Sequence, residues 1–346
     1  MLRPVPMLHR LAPLCLAAFL AALFALPLLA QEGDLTAKRR IFPEVGPGLR
    51  AVRHGQDGRY YVLQSPAPGV IVYSPDEKPI LQIGAGLAAN PATKARPFNI
   101  VFGEDCDVNS VGRIYVADRG ANAVLVFSPD GSLLQTIRVN APVSVAALPD
   151  SEVAVVTLTQ PHLVVVYDKN GRETREFGNP EDLSDRADLN RFLNIGRIRS
   201  DPSGHIYYGF DYFPEATVRP FDRFGYTAGP DIQYTNPDAF PEARAVRKEI
   251  EKQEKHGGAP AFKRVLTAVG VDPDTGEVWM ALHQFLLHFD KEGSRRATYN
   301  LYTPTNARLE ANTIVVEKDR LIIGSDPLGV YEFARPAIST GVGDIQ

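Results

Sequence analysis

Between residues 49 and 333 the chain repeats one rhythm of apolar and polar positions. A polar turn closes on glycine, an apolar run follows, and a short polar loop leads to a second apolar run that ends on an aromatic. A four-residue turn then reverses the chain. Residues 107–137 show it most plainly, with runs at 114–117, 123–127 and 133–137 and the turn SPDG between the last two. β-Branched and aromatic residues fill the runs, and Gly, Pro, Asp and Asn fill the breaks, so the rhythm predicts strands. The same pattern recurs at 58–83, 152–177, from 204 onward, at 276–298 and at 320–333. The closing aromatic recurs as Tyr73, Phe127, Tyr167, Phe221, Phe289 and Phe333, and the turn after it as SPDE, SPDG, DKNG, DRFG and DKEG.

Each unit also has a run before its glycine, at 49–52, 99–102, 143–147, 195–199, 267–271 and 313–316. Each unit therefore predicts four antiparallel strands: inner, second, third and outer. One such sheet leaves both faces bare. Six packed radially bury both, and a ring removes the exposed ends. Continuous apolar runs such as Val164-Val165-Val166 suit sheets buried on both faces. The sixth unit lacks an outer strand after Phe333, and residues 37–42, AKRRIF, are expected to supply it and close the ring. The expected fold class is all-β, a six-bladed β-propeller of four-stranded antiparallel blades, with a short helical insertion between blades 4 and 5.

The pattern carried by Gly112, Ile114, Tyr115, Val116, Ala117, Asp118, Asn122, Val124, Val126, Phe127 and Gly131 resembles the NHL repeat. The resemblance implies a six-bladed propeller over 49–333. It loosens in the third unit, where Glu152 replaces the turn glycine, and in the sixth, where Asp319 lies near that position. Proteins of this superfamily include protein-binding and sugar-binding modules, lactonases and lyases, so the fold alone leaves the function open.

Composition narrows the picture. Residues 1–30 carry Arg3 and Arg10 ahead of an apolar stretch, and Ala30 precedes Gln31-Glu32-Gly33, the pattern of a cleaved secretory signal peptide. An uncleaved membrane anchor is the other reading. Cleavage predicts an exported protein, periplasmic or secreted, with no membrane insertion. Without Arg3 and Arg10, 35 basic residues stand against 41 acidic ones, and no basic stripe points to nucleic acid. Cys106 is then the sole cysteine, expected as a small buried residue. The expected organisation is the signal at 1–30, an N-terminal segment at 31–48, the propeller at 49–336 with an insertion at 229–265, and a tail at 337–346.

Turns between inner and second strands, and between third and outer strands, share one face and are short. The opposite face carries the second-to-third loops and the long connections 84–98, 178–194, 229–265 and 301–311. Insertions concentrated there mark it as the working face. The longest contains PEARAVRKEIEKQEKH, which reads as a helix by its leading Pro, its charge density and Gly257-Gly258 at its end. Its narrow stripe of Ala243, Val246 and Ile250 predicts a solvated rim helix or a lid.

Candidate ligand contacts on that face are Asp118, Arg119, Asn122, Asp211, Tyr212 and His283 from the second-to-third loops, with Asn99 and Asn194 near the inner strands. Asp118 and Asn122 also fit a purely local role, bonding the loop backbone. A lactonase would need a divalent cation such as Ca²⁺ on the axis, for which Asn99, Asn194, Asn312, Glu104 and Asp105 offer donors at no common register. A zinc-dependent lyase would need converging histidines, and only His162 and His283 fall on the right face. Neither G-x-S-x-G nor H-E-x-x-H occurs. The leading expectation is a cofactor-free binding scaffold for a protein, peptide or glycan. A metal-assisted hydrolase or lyase with its site in the central funnel is the alternative.

Overall fold

A computed structural model describes residues 30–86, 98–159, 161–236 and 240–337. Nearly all of the expected signal segment, most of the 84–98 connection and nearly all of the expected tail lie outside them. Six sheets, each built on four antiparallel strands, stand around one axis. Blade I is β3 (Leu49–His54), β4 (Tyr60–Gln64), β5 (Gly69–Tyr73) and β6 (Pro79–Ile83). Blade II is β7 (Gly103–Val108), β8 (Ile114–Asp118), β9 (Ala123–Phe127) and β10 (Leu133–Arg138). Blade III is β11 (Pro142–Ala147), β12 (Val153–Thr157), β13 (Val164–Tyr167) and β14 (Glu173–Phe177). Blade IV is β15 (Gly196–Ser200), β16 (Ile206–Phe210), β17 (Thr217–Phe221) and β18 (Ile232–Gln233). Blade V is β19 (Ala268–Val271), β20 (Val278–Leu282), β21 (Phe285–Phe289) and β22 (Arg295–Tyr302). Blade VI is β23 (Thr313–Val316), β24 (Arg320–Ser325), β25 (Gly329–Ala334) and, from the other end of the chain, β2 (Arg39–Ile41).

The β2 strand lies antiparallel on β25, with Arg39 opposite Glu332 and Ile41 opposite Val330. Early and late parts of the chain thus share blade VI, as the unpartnered AKRRIF segment implied. Ahead of it, β1 (Gln31–Thr36) adds a fifth strand to blade V, parallel to β22. No hydrophobic pattern announced it, since QEGDLT is polar and mostly exposed.

The apolar runs are buried on both faces because successive side chains enter opposite interfaces. Tyr61 and Leu63 of β4 pack towards blade II, while Tyr60 and Val62 pack towards blade VI. Six apolar clusters fill the six interfaces. The repeated aromatic has a fixed duty in them. Phe127 lies between blades I and II, Tyr167 between II and III, Phe221 between III and IV, and Phe289 between IV and V. Phe333 and Tyr73 continue the series, each facing the blade before its own. The repeated turn places its fourth residue at positive φ, as Gly131, Gly171, Gly225 and Gly293. Glu77 takes that position in blade I at φ 62° and is held there by Arg39 and Arg320.

Two expectations need correction. The inner strand of blade II is Gly103–Val108, not 99–102. Its sequence GEDCDV alternates charge and so conceals a strand whose Asp105 and Asp107 face the axis. The helix Pro241–His256 has the expected bounds and an exposed outer face, but its apolar stripe is anchored in the core rather than lying loosely on the rim. Phe240, Ala243 and Val246 are buried in the cluster between blades IV and V. A second helix, Ala187–Leu193, buries Leu189 and Leu193 there. Arg186 Nη1 donates to Gln253 O at 3.0 Å, tying the two connections together.

Candidate functional site: a blind axial funnel

The inner strands hold most of the buried charge. Asp105 sits on the axis, fully buried. Its Oδ1 accepts from Arg53 of blade I, and its Oδ2 accepts from Ser144 Oγ of blade III at 2.5 Å and from Arg199 Nη1 of blade IV at 3.2 Å. Arg199 Nε donates to Val269 O of blade V at 3.2 Å, and Arg53 Nη1 donates to Thr313 Oγ1 of blade VI at 3.3 Å. Ile198 N donates to Ser144 Oγ at 3.1 Å. One network therefore touches all six blades and plugs the channel. The glycine in β19 lets blades V and VI pack closely beside this network, since a Cβ on Gly270 would meet Ile314 Cγ2 at 2.6 Å.

Burial opposes every charge in the plug, and pairing decides the outcome. Burial tends to raise the Asp105 pKa, but Arg53, Arg199 and Arg197 pull it below the ordinary carboxylate range. Arg199 drops to about 10, through burial first and then repulsion from Arg53. Asp107, on the far side of Arg53, is raised by burial. Burial also lifts the Cys106 thiol to about 12, which leaves it an inert packing group.

Cavities lie on the channel at both ends. The one at the short-turn end, about 610 Å³, is lined by His54, Asp107, Pro149 and Asp201. The funnel at the long-loop end, about 410 Å³, takes Arg50, Glu104, Val143 and Arg197 from the starts of four inner strands. The loops add Phe102, Arg119, Leu158, Asp211, Tyr212, Phe192 and Arg264. Leu158 and Ile195 also line a groove of about 600 Å³ that runs beside the funnel between blades III and IV, past His162 and Asn190.

Charge in the funnel is paired unequally. Arg119 Nε meets Glu104 at 2.8 Å, and Arg264 Nε meets Asp211 Oδ2 at 3.1 Å. The Nε of Arg197 stands 3.7 Å from the same Asp211 oxygen and is buried without a hydrogen-bond partner. Arg50 Nε is likewise buried and unpartnered. The guanidiniums of Arg50 and Arg119 lie 5.1 and 5.0 Å from the centre of the Phe102 ring. Burial raises the Asp211 pKa against the pull of Arg264 and Arg197. Burial, then repulsion from Arg264, lowers that of Arg197. Phe192 and Tyr212 form an aromatic wall, with ring centres 4.7 Å apart and Phe262 behind.

Of the expected contacts, Arg119, Asp211 and Tyr212 come together in this funnel. The others have local duties. Asp118 accepts from the amides of Val101, Phe102 and Ala121, and Asn122 Oδ1 accepts from Ala141 N. Asn194 clasps the 178–194 connection through Glu181 and Asn190. Asn99 is exposed and packs over Gly86. His283 Nε2 contacts Arg264 O at 2.8 Å, one layer behind the cavity.

The donors considered for a divalent cation do not converge. Asp105 is taken up by arginines and Ser144, and Asn312 Oδ1 accepts from Asp326 N. Among the described residues no three His, Cys, Asp or Glu side chains gather as a metal site would require. The residues present do not fit a metal centre in the funnel.

Arg50, Phe192, Arg197 and Arg264 escaped the sequence reading. A usable signal was present, since Arg197 and Arg199 alternate along an inner strand just as Asp105 and Asp107 do.

No family model matches the chain, and no curated protein matches it in sequence. Solved structures do share its fold. A streptogramin B lyase structure aligns with a TM-score of 0.51 at 12% identity, covering 84% of each chain. The Kuenenia stuttgartiensis hydrazine synthase aligns at 0.51 and 12% identity, covering 85% of this chain and 97% of that one. The RRP9 WD40 repeats align at 0.52 and 12% identity, covering 87% and 97%. These likenesses establish a β-propeller of a kind found in proteins of different activities.

Proposed function

We propose that the chain is an exported NHL-like propeller that acts as a binding scaffold, holding part of a protein, peptide or glycan in the axial funnel of its long-loop face. The observation that carries this reading is the plug under the funnel. A channel sealed by Arg53, Asp105 and Arg199 is a receptacle with a floor rather than a conduit. The walls come from loops of blades II, III and IV mounted on a rigid ring, the usual setting for recognition. The groove that shares Leu158 and Ile195 extends the surface towards the rim and suits a ligand longer than the funnel is deep. The apolar segment at 1–30 and the repeat pattern of 107–137 support export and the NHL-like character.

Leu158→Trp tests this reading by filling the junction of funnel and groove. Arrays of peptides and glycans probed with wild-type protein should yield binders that the folded variant no longer retains. Binders indifferent to the substitution, or none at all, contradict it.

A further inference from the structure

Resting on that reading, we infer that the funnel ligand enters with a carboxylate carried on an apolar body, and that Arg197 receives the carboxylate. Arg197 is only 7% exposed, yet its guanidinium lies on a cavity and its Nε has no hydrogen-bond partner. Its nearest counter-charge, Asp211, is held more closely by Arg264. The other buried inner-strand arginines, Arg53 and Arg199, each make a hydrogen-bonded ion pair with Asp105, whereas Arg197 makes only the 3.7 Å contact to Asp211. A buried guanidinium whose Nε lacks a hydrogen bond and whose counter-charge is shared is costly, and an oxyanion in the adjoining space lowers that cost.

The surroundings agree in charge, shape and size. Four arginines line the funnel against two carboxylates, Glu104 and Asp211, which leaves two positive charges uncompensated. A guanidinium presents a planar fork of donors that matches a carboxylate. Phe102, Phe192, Tyr212 and Leu158 give the apolar part of the ligand its walls. About 410 Å³ admits a small acid or the last residues of a chain and excludes a folded domain. Free acids and peptide C-termini share this chemistry.

Calorimetric titration with N-acetylphenylalanine, its amide, and a tripeptide ending in phenylalanine separates the possibilities. The acid should bind, and the amide, of the same shape without the charge, should bind at least about tenfold more weakly. Arg197→Met should lose about tenfold or more for the acid and leave the amide unchanged. Arg50→Met, at a less buried position, provides a second variant read in the same way should Arg197→Met fail to fold. Tighter binding of the tripeptide than of the free amino acid identifies a chain terminus as the source, and the reverse identifies a small acid. Equal binding of acid and amide overturns the inference, as does an undiminished Arg197→Met or no binding of any acid. Where acid and amide bind equally and Leu158→Trp blocks both, the funnel remains the ligand site and only its acid specificity falls.

Discussion

Arg53 and Asp105 meet on the propeller axis, one from blade I and one from blade II, and their ion pair is the centre of a network that reaches every other blade. Removing the carboxylate leaves Arg53 and Arg199 buried together with only the more distant Asp107, 3.9 Å from Arg53, as a counter-charge. Asp105→Asn should therefore destabilise the fold by about 3–5 kcal/mol. Ser144→Ala, which removes a single hydroxyl from the same network, should cost about 1–2 kcal/mol. Urea unfolding of the two variants measures both. Equal costs would mean that the charge of Asp105 does not organise the plug.

The seam between the two ends of the chain predicts an acid response. Burial pushes the Glu317 carboxyl up, but hydrogen bonds from His54, Arg320 and Tyr60 outweigh it and hold the pKa at about 2 against an ordinary 4.5. A depressed carboxylate stabilises the fold fully above its unfolded pKa, and the contribution is lost as pH falls through the folded one. Wild-type protein should lose stability between about pH 4.5 and 2. Glu317→Gln should start less stable at neutral pH and decline less steeply in that window. Parallel curves of melting temperature against pH would contradict the assignment.

Ring closure makes a prediction about association. A chain beginning at Pro43 lacks β1 and β2 and leaves β25, Gly329–Ala334, as an open edge. Unpaired strand edges template further pairing. Size-exclusion chromatography with light scattering should show self-association of this truncation at concentrations where the chain containing residues 31–42 is monodisperse.

The helix Pro241–His256 is tested through its buried face. Val246→Ala removes contacts in the cluster between blades IV and V and should cost about 1.5–3 kcal/mol. Lys248→Ala, on the same helix outside the buried stripe, should change stability by less than about 0.5 kcal/mol. Equal, small effects would return the helix to the solvated role that its composition suggested.

Much of the architecture was legible because its causes repeat. The closing aromatic recurs because every interface needs one, and the turn recurs because every third-to-outer reversal takes a left-handed residue. The closing strand 39–41 was legible by subtraction, from a blade one strand short. Blade II's inner strand was hidden by the feature that makes it important: Asp105 and Asp107 break the apolar signal because they face the axis. Arg197 was hidden for another reason, since its strand at 195–199 was read correctly. Its meaning depends on Asp211 at the end of the neighbouring strand, on Arg264 from the connection to blade V, and on an open cavity, none of which is adjacent to it in sequence. Asp118 and Asn122 carry repeat-pattern identities because the loop backbone needs them, and they proved to serve it. Asn99 was misplaced by the four-residue error in the strand that follows it.

The proposed ligand site is a blind funnel above the Asp105 plug, with Arg197 to receive a carboxylate. Diffraction from crystals soaked in N-acetylphenylalanine tests it most directly. The predicted result is a ligand carboxylate within hydrogen-bonding distance of the Arg197 guanidinium, with its ring against Phe102 or Tyr212 and Asp105 still bound to Arg53 and Arg199. A ligand seated only in the groove beside His162, or only in the cavity lined by His54 and Asp201, would contradict it.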